Sequence, residues 1–87
     1  MSELTVAVDN RPRVRLWSRK YFKLIDEGRV PDGERPIDTV RTLLRRSGLT
    51  EAVATIHRRE GRYWLGFAYL DGRHVNVINY EEFKKKL

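Results

Sequence analysis

At 87 residues, with 40% hydrophobic and 34% charged side chains, the chain is long enough for one small folded domain, too short for two, and too apolar for a disordered tail. It has no cysteine, which excludes a disulfide frame and a thiolate metal site and makes a reducing cytoplasm the natural setting. Eighteen Lys and Arg against twelve Asp and Glu give a net charge of +6; thirteen of the cations are arginine, whose flat donor fork suits phosphates and stacks on rings, so a polyanionic partner is favoured.

The opening "MSELTVAV" lacks a basic stretch followed by an apolar run, and no apolar segment reaches the ~18 residues of a membrane helix, so no membrane partner is expected. "LTVAV" (4–8) and "RVRLW" (13–17) both alternate, Arg13 and Arg15 against Val14 and Leu16. With "DNRP" between them as turn chemistry they predict an N-terminal β-hairpin. Ser18 then caps a predicted helix through "RKYFKLIDE", with Trp17, Tyr21, Leu24 and Ile25 at helical spacing and Gly28 as a left-handed stop. "RVPDGERP" reads as a loop. "PIDTVRTLLRRSG" reads as a second helix, with Pro36 in its first turn, a stripe of Ile37, Val40, Leu43 and Leu44, and Gly48 at its end; Arg41, Arg45 and Arg46 fall to its polar side.

From Thr50 the period becomes two. "EAVATIHR", "RYWLGFAYL" and "RHVNVIN" predict three strands of an antiparallel meander, joined by "EG" and "DG". "NYEEFKKKL" predicts a short closing helix capped by Asn79, with Tyr80, Phe83 and Leu87 on one stripe. The whole, residues 1–87, is a single α+β domain. If Glu60-Gly61 and Asp71-Gly72 are two-residue loops, Leu65 lies opposite Ile56 and Ile78, and Phe67 opposite Ala54 and Asn76. One face is then Ala52, Ala54, Ile56, Tyr63, Leu65, Phe67, Tyr69 and Ile78, bulky enough to form the core. On the other face His57 and Asn79 flank Trp64, with Arg59 and Arg62 at the adjacent turn.

That second face is the candidate site. A ring with a basic rim suits a nucleic-acid strand, since base stacking needs no sequence match and arginines hold phosphates. The candidate contact residues are Arg58, Arg59, Arg62 and Trp64, with Arg41 and Arg45 as a second basic cluster. Against this stands a core role for Trp64, because Val53, Ala68, Leu70, Val75 and Val77 share its face and invite a covering hairpin. A helix-turn-helix is discounted: the loop between the two predicted helices is too long and carries Pro31, Gly33 and Pro36. A winged arrangement using the 57–63 turn stays open.

His57 and His74 are the only histidines and have no ligand spacing, so no metal is expected. No nucleophile-elbow, phosphate-loop or dinucleotide motif is present, so no cofactor is expected either. Metal-free RNA cleavage is the one enzyme class compatible with the side chains, needing only a base, phosphate donors and an acid. The order strand, two helices, meander in a small basic chain resembles the RelE/ParE toxin superfamily, "RVRLWSRKYFKLI" matching its opening strand and helix and "GRYWLGFAYLDGRHVNVINYEEFKKK" its later sheet. The resemblance implies an RNA-cleaving or gyrase-directed toxin. Its members carry no fixed catalytic signature, so His57, Arg59 and Arg62 are toxin candidates by chemistry alone. The extra N-terminal strand, the short interval before the meander and the closing helix depart from that family's pattern. The expectation is therefore a nucleic-acid-binding or regulatory module, monomeric or homodimeric, more readily a binder than an enzyme. A small protein-interaction or inhibitor protein of mobile-element type is the alternative.

Overall fold

The computed structural model describes residues 10–58 and 61–87. The first strand of the expected N-terminal hairpin (4–8) and Arg59 therefore lie outside the described residues. The elements follow in the order β1 (Arg13–Trp17), β2 (Leu24–Arg29), α1 (Pro36–Ser47), β3 (Glu51–His57), β4 (Tyr63–Asp71), β5 (His74–Asn79) and α2 (Tyr80–Lys85). The strands form one antiparallel sheet in the order β2-β1-β3-β4-β5, confirming the α+β class.

Helix α1 arises where the periodicity placed it. Pro36 sits in its first turn with a φ already suited to a helix, and Gly48 ends it in a left-handed conformation at φ 75. Its stripe of Val40, Leu43 and Leu44 is buried on one sheet face against Val14, Leu16, Ala52, Ala54, Ile56, Ala68 and Val75. Hiding each Leu or Val side chain there is worth about 1.5–3 kcal/mol. The sheet side chains beneath the helix are mostly small or β-branched, and partly buried Ile25, Trp64 and Val77 pack against the same cluster.

The predicted helix over 19–27 is a hairpin instead. Ser18 does make the bond of a helix cap, its Oγ accepting from the Tyr21 N–H at 3.1 Å, and Phe22 N donates to Ser18 O at 2.7 Å as in a helical turn. Phe22 then adopts φ 56, the Ser18 N–H closes onto Lys23 O at 2.8 Å, and the chain returns as β2. The bond is of the capping kind but closes a turn, so the expected Ser18-capped helix is overturned. Tertiary pairing overrides the weak helical stripe: as β2 the segment pairs with the edge of β1 that β3 leaves open. Gly28, expected as a helix stop, faces α1 within β2, where a Cβ would meet Leu43 at 3.7 Å.

The expected register of the meander is also corrected. His57 pairs with Tyr63 and Ile56 with Trp64, so residues 58–62 connect β3 to β4 in place of a two-residue Glu-Gly loop, with Arg58 N donating to Arg62 O at 3.0 Å. A slip of one residue exchanges every side chain between faces. Trp64, Gly66 and Ala68 therefore join Ala52, Ala54 and Ile56 under α1, while Tyr63, Leu65, Phe67 and Tyr69 turn to the opposite face. At the second hairpin Asp71 pairs with His74, so Gly72, at φ 65, and Arg73 form the turn. That slip is two residues and leaves the β4–β5 faces together, with Phe67 now opposite Ile78 and Gly66 opposite Asn79.

The indole of Trp64 lies over Gly66: a Cβ there would collide with the six-membered ring and stand 2.7 Å from the Ile78 carbonyl. A glycine in mid-strand is explained by this close approach. The core role weighed for Trp64 is the one the structure gives it. Helix α2 forms as expected, with Asn79 Oδ1 accepting from Glu81 N at 2.9 Å. Among the described residues no helix is long and apolar enough to cross a membrane.

Candidate nucleic-acid interface on the open sheet face

The strand pairings arrange the face away from α1 as a grid. Arg29, Arg13, His57 and Tyr63 form one row across β2, β1, β3 and β4; Glu27, Arg15, Thr55 and Leu65 form the next; Leu24, Trp17, Val53, Phe67 and Ile78 form the third. The third row is partly covered. Phe83 of α2 stacks on Phe67 at 3.9 Å between centroids, and the Arg19 guanidinium lies 5.1 Å from the Phe83 ring and 5.7 Å from Phe67 while pairing with Glu51 at 3.3 Å. The first two rows are left open by the helices.

At their basic end is a concavity of about 300 Å³ lined by Arg11, Arg13, Arg15, Arg29, His57 and Arg58, with Asn10 at its rim. Glu27 Oε1 accepts from Arg13 at 3.3 Å and from Arg15 at 3.2 Å, and Arg29 donates to the Arg11 carbonyl at 3.0 Å. Ion pairs as exposed as those of Glu27, whose side chain is 42% accessible, contribute at most about 1 kcal/mol. They aim both guanidinium groups across the face without cancelling the positive charge, and a phosphate is a stronger bidentate partner for the same forks.

Beside this basin is a cleft of about 250 Å³ lined by Trp17, Phe22, Thr55, His57, Tyr63 and Leu65. Tyr63 is 60% exposed and Phe22 62% exposed. The Tyr63 ring stacks on His57 with centroids 5.5 Å apart and planes 26° apart. Phe22 is the sole described non-glycine residue with positive φ, a left-handed conformation that costs an L-residue with a bulky side chain about 1–2 kcal/mol.

A hydrogen-bond chain runs along the floor. Trp17 Nε1 donates to Thr55 Oγ1 at 2.8 Å, and Thr55 Oγ1 lies 2.8 Å from His57 Nε2. The Trp N–H is a donor only, so the Thr55 hydroxyl accepts it, and the direction of the Thr55–His57 bond turns on the imidazole tautomer. Burial, followed by the charges of Arg15 and Arg13, holds the His57 pKa below its ordinary value. At neutral pH the imidazole is therefore an uncharged ring among arginines.

The structure thus brings two of the sequence candidates together here, His57 and Arg58. Arg62 is exposed immediately before the start of β4, its carbonyl accepting from Arg58 N. Trp64 lies on the helix-covered face. Arg41 is tied into the fold on that side, donating to the Val75 carbonyl and Asp38 Oδ1, both at 3.0 Å, and Arg45 donates to the Arg73 carbonyl at 3.4 Å. The residues missed were Arg11, Arg13, Arg15, Arg29, Trp17, Phe22 and Tyr63. The alternation of Arg13 and Arg15 against Val14 and Leu16 was the available signal, since it puts both arginines on the face away from the core. Among the described residues no three His, Asp or Glu side chains are grouped to hold a metal ion. No protein-family model, curated protein or solved structure matches the chain, so its functional reading rests on the geometry of this face.

Proposed function

We propose that the protein binds nucleic acid across the open face of the sheet, with backbone phosphates in the arginine basin and bases toward the aromatic cleft. The observation that carries this reading is that one residue, His57, lines both concavities, so cations and ring faces meet within a single contiguous surface. Phosphates need guanidinium forks and bases need π-faces, and a sheet offering both side by side is suited to a strand that presents them alternately. A protein partner would use rings and arginines as isolated anchors, without the alternation of charge and flat group that a strand repeats.

Anisotropy titration of a labelled oligonucleotide against the wild type and the Arg13→Gln/Arg15→Gln variant, at several salt concentrations, tests the reading. Each phosphate neutralised on a single strand adds about 0.7 to the log-log salt slope, so removing two contacts makes it shallower by about 1.4. Absence of binding at low salt, or an affinity indifferent to both salt and the two substitutions, refutes the proposal and redirects the search to a protein partner.

A further inference from the structure

We infer that the cleft lined by Phe22 and Tyr63 is a clamp for one unstacked nucleobase, which makes single-stranded nucleic acid the ligand and Phe22 a recognition residue. The inference rests on the nucleic-acid reading above and adds the occupant of the cleft, the strandedness of the ligand and the role of a turn residue.

Phe22 occupies a backbone conformation that glycine or asparagine adopts far more readily, yet the residue is 62% exposed and lies outside the buried core. Neither local geometry nor packing accounts for a phenylalanine at this turn. What its ring does is line a cavity of about 250 Å³ on the side that Tyr63, itself 60% exposed, also lines. Two largely exposed rings lining one cleft are poised to gain contact area when a flat group enters it.

The polar capacity of the floor is already committed. Trp17 Nε1 and the Thr55 hydroxyl satisfy each other and His57 Nε2, so the cleft offers ring faces and few free donors. Such a site accepts a base by stacking and discriminates weakly among bases, which is how sequence-tolerant strand binders hold their ligand. The occupant is specified further by its neighbour: the arginine basin adjoining at His57 takes the phosphate attached to that base. A base inside a duplex has both faces covered by its stacked neighbours and cannot enter, so the cleft selects unpaired strands.

The test uses three labelled ligands of equal length: a single-stranded oligothymidine, the same strand with abasic sites, and a duplex. They are titrated against the wild type, Phe22→Gly and Tyr63→Ala. A Trp64→Phe background leaves Trp17, in the cleft, as the lone tryptophan, read with excitation selective for indole. The single strand is expected to quench Trp17 and to bind about tenfold more tightly than the abasic strand or the duplex. Phe22→Gly and Tyr63→Ala should each remove about tenfold of that affinity, with the salt slope unchanged and, for Phe22→Gly, an unfolding midpoint equal to or above that of the wild type. Equal binding of base-bearing and abasic strands with a steep salt slope overturns the clamp while leaving the phosphate basin standing. A Phe22→Gly protein that binds normally but melts earlier overturns it too, by making the ring structural. Loss of all binding in the wild type overturns both readings.

Discussion

The two faces of this sheet are built from the same strands and behave as two different materials. Under α1 the side chains are small or branched and hidden, with Ala52, Ala54, Ala68, Val14 and Leu16 all at 0% exposure. On the opposite face the same strands present Arg13, Arg15, His57, Tyr63 and Leu65, which are large, half-buried or exposed, and mostly polar. Sequence change is therefore felt differently on the two. Beneath the helix a substitution is limited by volume, because a packed interior has no room to relax. On the open face a substitution leaves the fold nearly untouched and alters what the surface attracts.

The largest effect is expected on the covered face, from Gly66→Ala, a change of one methyl group. With the Trp64 indole and the Ile78 carbonyl where the Cβ must go, the expected loss is about 3 kcal/mol in urea denaturation. A loss under about 1 kcal/mol would mean that the indole swings aside and that the covered face is looser than its packing suggests. On the open face Glu27→Gln removes the carboxylate that competes with a phosphate for Arg13 and Arg15. Oligonucleotide affinity should rise several-fold, with stability changing by no more than about 0.5 kcal/mol. A weakened affinity would show that Glu27 is needed to hold the two guanidinium groups in place.

A smaller effect is expected at Thr39, buried on α1 at 6% exposure with a hydroxyl that has no hydrogen-bond partner among the described residues. Thr39→Val keeps the shape and removes the unpaired group, so a gain of about 1 kcal/mol is expected in the same denaturation assay. A loss would reveal a partner for the hydroxyl. The smallest effect concerns His57, which faces Arg13 and Arg15 of β1, Tyr63 of β4, the Thr55 hydroxyl and its neighbour Arg58. Its folded pKa lies below its unfolded value of about 6.5, so the unfolded chain takes up the proton first. The stability it confers is complete above about pH 6.5 and declines as pH falls through that value toward the folded pKa. His57→Gln should flatten that part of the stability–pH profile, and an unchanged slope would assign it to another group. A phosphate in the basin favours the imidazolium, so affinity for an oligonucleotide should move the opposite way and rise as pH falls through the same window.

Much of this architecture was legible in the chain. The helix over 36–47, its Pro36 start and Gly48 stop, the three-stranded meander, and the Asn79 cap of the last helix follow from local rules of φ, capping and period. The open-face site was less legible. His57 and Arg58 were found because basic residues crowd beside an aromatic segment. Trp64 was placed with them because a two-residue loop was assumed between the strands. The connection over 58–62 moves the register by one and sends Trp64 to the core and Tyr63 to the surface. Residues 18–29 misled for a different reason: Ser18 offers one and the same hydrogen bond to a helix and to a turn, and nothing local distinguishes the two.

The class of fold, the positive charge, and which residues of each strand share a face are written in the chain, since these depend on composition and on alternation within one segment. Tertiary structure alone decided which face of one strand joins which face of the next, and that residues 24–29 serve as a strand. Register is fixed by the length and geometry of a connection and by hydrogen-bonding demand at a neighbour's edge, and both belong to pairs of segments rather than to either one. The arginine basin and the cleft beside it draw on four strands and a turn, so they exist only once those pairings are made.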